Sequence, residues 1–119
     1  DAALAILTWH DFYYVEPGVG WRKVDLEHMI DTLCKGLKEG AILGIVDHVA
    51  APGGDVWEVA QTLHRIDPKQ IRADLKGSCF KYKGQADFLR NESDDYSLPM
   101  SNAKVRGKTD RVVYRFKRK

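Results

Sequence analysis

Leu37-Lys38-Glu39-Gly40-Ala41-Ile42-Leu43-Gly44-Ile45-Val46-Asp47-His48 is the stretch that decides the fold. It reads as a helix end, a glycine turn, a strand, and two polar side chains where the strand stops. Ala41 to Val46 is apolar without alternation. That pattern belongs to a strand covered on both faces, and hence to a parallel α/β sheet. Ligands in open α/β sheets bind outside the carboxyl ends of strands. Asp47 and His48 stand there, so a site is expected around them.

Towards the start of the chain, Ala2-Ala3-Leu4-Ala5-Ile6-Leu7 is a second run of the same apolar type. It opens into Thr8-Trp9-His10-Asp11-Phe12-Tyr13-Tyr14, an aromatic and polar mouth, and then a loop marked by Pro17, Gly18 and Gly20. Between the two runs, Leu26, Met29, Ile30, Leu33 and Leu37 fall on one helical stripe over Asp25–Lys38. Asp25 is its expected N-cap, and Gly40 its expected left-handed stop. Strand, helix, strand in this order makes a crossover unit.

Towards the end of the chain, Asp55 caps a short helix that carries Val56, Val59, Ala60 and Leu63. His64-Arg65-Ile66-Asp67-Pro68 interrupts it. Asp67 before Pro68 starts a further helix with Ile71 and Leu75 inward, ended by Gly77. Phe80 and Tyr82 begin a strand at or near a sheet edge. The polar stretch from Arg90 to Thr109 reads as a lid or a poorly ordered loop. Arg111–Phe116 is the last strand, and Lys117-Arg118-Lys119 a solvated tail.

A chain of 119 residues supports one small domain with one core. No apolar run approaches the roughly 20 residues of a membrane span, and the start lacks a secretory pattern. Cys34 and Cys79 lack a metal spacing and do not form a disulfide-rich framework, so a reducing cytoplasm is the expected compartment. Residues 1–64 carry 4 Lys/Arg against 10 Asp/Glu, and residues 65–119 carry 15 against 7. Without interleaved aromatics, the basic half reads as a solvated face and argues against a nucleic-acid module. The chain opens on Asp1 without an initiator Met, which reads as a fragment or a processed chain.

Several segments now stand in one order: His10-Asp11, Leu37-Lys38-Glu39-Gly40-Ala41, Asp47-His48, Leu63-His64-Arg65-Ile66-Asp67 and Gly107-Lys108-Thr109-Asp110-Arg111. Together they resemble the C-terminal half of a class I S-adenosylmethionine-dependent methyltransferase, within a bacterial group whose methyl acceptor is unassigned. The resemblance covers nearly the whole chain. It implies a partial Rossmann-like α/β sheet of about four strands, the last ones including an antiparallel strand, with about three helices. It also implies S-adenosylmethionine as cofactor, with His10 and Asp11 facing the cofactor or the acceptor, and Asp47, His48 and His64 lining the acceptor side. In such enzymes the first half of the sheet carries a glycine-rich loop and an acidic residue that hold the cofactor. Residues 1–119 have neither, so they are expected to form a single domain lacking that half, and to bind the cofactor weakly or not at all by themselves.

Three functions compete for these residues. A histidine near neutral pH can take the acceptor proton in methyl transfer. Imidazole and carboxylate from His10, Asp11, Asp47, His48 and His64 could instead hold Zn, Fe or Ni, although no pair has a helical ligand spacing. A non-catalytic module would work by self-association, as a two-fold homodimer through the edge of the Ala2–Leu7 strand. Plainer roles are a turn Asp11, a helix-end His64 and an N-cap Asp67. Trp9, Tyr13, Tyr14 and Trp57 line either the core or an apolar pocket.

Overall fold

The computed structural model describes residues 1–119. The chain is an α/β domain with one four-stranded mixed sheet and three α-helices. β1 (Ala2–Ile6) pairs in parallel with β2 (Ile42–His48) after a crossover through α1 (Leu26–Gly36). α2 (Val56–Leu63) and α3 (Pro68–Leu75) follow, then β3 (Phe80–Ala86) and β4 (Arg111–Arg118). The strand order is β1-β2-β4-β3. β4 is antiparallel to both neighbours, so it runs against three strands of common direction.

Local chemistry sets the helix starts where the sequence placed them. Asp25, Asp55 and Asp67 each accept a backbone N–H of the first turn, from His28, Glu58 and Lys69 respectively. The helix ends differ. α1 stops at Gly36 with Leu37 as its extended cap, and α3 at Leu75 with Lys76 as cap. Gly40 and Gly77 take their positive φ in the turns beyond.

The core lies on one side of the sheet. Leu43, Ile45, Val112, Tyr114, Phe116 and Phe80 meet Ile30 of α1, Ala60 of α2, and Ile71 and Leu75 of α3. The other face lacks a helical layer. Leu4 and Ile6 are 72% and 48% exposed, and Ile42, Gly44 and Val46 are half-buried. The unbroken apolar pattern of Ala41–Val46 therefore predicts coverage on both faces, whereas this chain covers one. A Cβ at Gly44 would lie 2.9 Å from the tip of the Leu4 side chain, which is exposed and can swing aside.

Three further expectations are corrected. Cys34 and Cys79 form a disulfide, joining the last turn of α1 to the residue just before β3. Lys117 and Arg118 belong to β4 rather than to a solvated tail, with Arg118 Nε donating to the Cys34 carbonyl at 2.7 Å. The stretch from Arg90 to Thr109 has little regular structure but is tied down. Asp94 accepts two bonds from Arg65, at 2.7 and 3.0 Å, and Asp110 accepts two from Arg90, at 2.7 and 2.8 Å. No helix is long and apolar enough to cross a membrane.

Candidate functional site

β1 ends at Ile6, and Leu7 turns the chain with φ of 56°. A leucine in this left-handed region is strained, typically by about 1 kcal/mol or more. Its N–H is held by the Val46 carbonyl at 2.7 Å. The turn leads into a short 3-10 helix, Trp9–Tyr13, that carries His10 and Asp11 back over the end of β2. The two residues therefore sit one turn beyond the strand rather than at its last position.

Asp47 is fully buried and organises the site. Its Oδ2 accepts the His10 backbone N–H at 2.7 Å. Its Oδ1 accepts the His48 backbone N–H at 2.8 Å and faces His10 Nδ1 at 2.7 Å. A carboxylate only accepts, so His10 Nδ1 carries the hydrogen and the lone pair of the neutral ring lies on Nε2. That Nε2 is 3.1 Å from Asp11 Oδ1. Burial alone would lower the His10 pKa. The hydrogen bond and charge of Asp47, with the charge of Asp11, override it and raise the pKa above 6.5. Asp11 is raised as well, by burial and by repulsion from Asp47, against the attraction of His10 and His64.

His48 has the opposite character. Burial pushes its pKa down to about 4, helped by the positive charges of His10, Arg65 and Arg111 and opposed by Asp47. It is a neutral ring at pH 7. Its Nδ1 bonds Thr109 Oγ1 at 2.7 Å, and its Nε2 is buried without a partner. The His10 and His48 ring centres are 5.8 Å apart.

His64 arrives from the C-cap of α2 in the left-handed conformation, with φ of 51°. Its Nδ1 is 4.0 Å from Asp11 Oδ1, and its ring lies 5.7 Å from His10 and 4.9 Å from Tyr14. The next residues clasp it to the sheet: Ile66 bridges Val49, and its N–H bonds the His48 carbonyl at 2.9 Å. The five residues singled out in the sequence thus converge at the carboxyl ends of β1 and β2. They do not form one ligand set. Asp47 spends its oxygens on His10 and His48, and His48 faces Thr109. Only His10, Asp11 and His64 bring ligand atoms within 4.8 Å of one another.

The aromatic mouth divides. Trp9 and Tyr13 belong to the core, with their polar tips on Asp74 at 3.0 and 2.6 Å. Trp57 packs on Tyr13. Tyr14 instead lies against His64 and Trp21 at the site. Sequence reasoning missed three supports: Thr109, which fixes His48, and the buried Arg65–Asp94 pair, which anchors the loop carrying Thr109. The available signal was a run of paired polar residues, Asp94, Thr109 and Asp110, in a stretch otherwise read as open loop.

Comparison with protein-family models, curated proteins and solved structures found no match to this chain.

Proposed function

We propose that this domain is the acceptor side of a methyltransferase-like α/β fold, with His10 as the general base that takes a proton from an O–H or N–H acceptor. The observation that carries this reading is the His10–Asp47 pair at the carboxyl ends of two parallel strands. Asp47 holds the ring in one tautomer and favours its protonated form, and Nε2, beside Asp11 Oδ1 at 3.1 Å, is the atom that receives the proton. The mixed sheet adds support, since the resemblance implies an antiparallel strand among the last ones and β4 is one.

The cofactor is a separate matter. Pro17-Gly18-Val19-Gly20 lies in an exposed 3-10 turn closed by a Glu16–Trp21 bridge, not between a strand and a helix. These residues do not fit S-adenosylmethionine, and no step is derived through it. What this chain contributes is orientation of an acceptor, a dry environment around Asp47, and a place for the proton.

The test is transfer of labelled methyl groups from S-adenosylmethionine to a panel of phenol, carboxylic acid and amine acceptors. It uses the polypeptide that carries this sequence, native and with His10→Gln. The reading requires incorporation that falls by roughly 10²- to 10⁴-fold in the variant. Equal incorporation in both, or none across the panel, overturns it.

A second reading, a self-associating module, is favoured by one observation. β1 is an edge strand that exposes Leu4 and Ile6 and carries no Lys or Pro to blunt it. Two-fold pairing of β1 with its copy would continue the sheet. Light scattering tests this: a dimer weakened by Leu4→Lys supports it, and a monomer mass near 13.5 kDa at micromolar concentration ends it.

A further inference from the structure

His10 Nε2 and Asp11 Oδ1 face each other at 3.1 Å. When the ring is neutral and the carboxylate ionised, both atoms present lone pairs. Such a contact needs a positive charge between or beside them. A shared proton is one solution, and a metal ion is another.

We propose that His10, Asp11 and His64 form a binding site for a divalent transition-metal ion of the zinc class, with a fourth position open to solvent. Two independent features support it. The first is the ligand set: one ligand atom from each of His10, Asp11 and His64 lies within 4.8 Å of the others, with Asp11 Oδ1 3.1 Å from His10 Nε2 and 4.0 Å from His64 Nδ1. Two imidazoles and a carboxylate favour Zn, Fe or Co over Mg and Ca, which prefer oxygen alone. The second is Asp47. Metal-binding histidines almost always give their other N–H to a carboxylate or carbonyl, which fixes the ring and raises its basicity. His10 gives Nδ1–H to the buried Asp47 carboxylate at 2.7 Å.

Geometry also permits it. Ligand atoms around tetrahedral zinc, each about 2.0–2.1 Å from the ion, are roughly 3.3 Å apart. The His10–Asp11 pair already stands close to this, at 3.1 Å. The His64–Asp11 separation of 4.0 Å must shorten by less than about 1 Å. His64 has the freedom to do so: its side chain is one-third exposed and rests on Tyr14. The charge balances too. Asp11 and Asp47 together supply two negative charges beside neutral rings, which a dication cancels. Three protein ligands and one open position form the arrangement of a catalytic rather than a structural site.

A proton and a metal ion exclude one another on Nε2. With an ion on Nε2, His10 cannot also be the general base, so the metal site is an alternative to that reading on the same residues, and it is measured with neither donor nor acceptor present. The experiment is calorimetric titration of the chain with Zn²⁺, together with the visible spectrum of bound Co²⁺. The variants are Asp11→Asn, His64→Asn and, as control, His28→Asn on the exposed face of α1. Asparagine tolerates the left-handed conformation at position 64, and near-ultraviolet dichroism verifies the fold of each variant.

The expected result is one ion per chain at micromolar affinity or tighter, with the absorption bands of four-coordinate Co²⁺. Asp11→Asn and His64→Asn should each weaken binding by at least about tenfold, and His28→Asn should leave it unchanged. The proposal is overturned if the native chain takes up no ion, or if binding survives both site variants.

Discussion

His48 carries the sharpest pH prediction. The folded ring has a pKa of about 4, against the ordinary 6.5. Burial is the main cause, and His10, Arg65 and Arg111 add repulsion that Asp47 only partly offsets. Between these two values the unfolded chain binds a proton that the folded chain refuses. The contribution of His48 to stability is therefore complete above pH 6.5 and is lost as pH falls towards 4. The gap corresponds to about 3 kcal/mol, a large share of the roughly 5–15 kcal/mol that holds a domain together. His48→Gln removes the titrating group, and its amide can still meet Thr109. Urea unfolding of the native chain and the variant, in steps between about pH 4 and 7.5, gives the difference. The native curve should fall by about 3 kcal/mol more than the variant curve across this window. His10 acts in the opposite direction, because its pKa is raised: its contribution is present below pH 6.5 and lost as pH climbs through the raised value. Comparison within the pair of curves cancels it to first order. Parallel curves, or an NMR titration of His48 near 6.5, would refute the argument.

Other outcomes follow from the same structure. Asp47→Asn removes the charge that raises His10, so burial dominates and the His10 NMR midpoint should drop below 6.5; an unmoved midpoint would remove Asp47 as the cause. Arg65→Met leaves Asp94 buried without its cation, which should cost about 3–5 kcal/mol, and limited proteolysis should then cut between Leu89 and Asp110. If the double variant Arg65→Met, Asp94→Leu is no more stable than the single one, the stranded charge is not the cause. The disulfide spans 45 residues of sequence, and loop-closure entropy gives it up to about 4 kcal/mol. Unfolding of the Cys34→Ser, Cys79→Ser chain at the same midpoint as the native one would show that the link adds nothing.

The sequence by itself determined the elements and their class. Local rules suffice for these: Asp25, Asp55 and Asp67 cap helices through bonds two or three residues away, and unbroken apolar runs at Ala2–Leu7 and Ala41–Val46 make strands. It also placed Asp47 and His48 at a strand end, because the end of an apolar run is a local property, and His10 and Asp11 just after the other run, without the 3-10 turn that carries them. Tertiary structure decided the rest. The strained turn at Leu7 folds His10 onto Asp47, a contact across 37 residues that no spacing encodes. The left-handed cap of α2 brings His64 to Asp11. The stretch after Arg90 looks like open loop because its partners are distant: Asp94 meets Arg65 across 29 residues, and Thr109 meets His48 across 61. Apolar pattern records that Ile42 and Val46 could be covered, but only the packed structure shows that this chain covers the opposite face alone, since coverage depends on where the helices land.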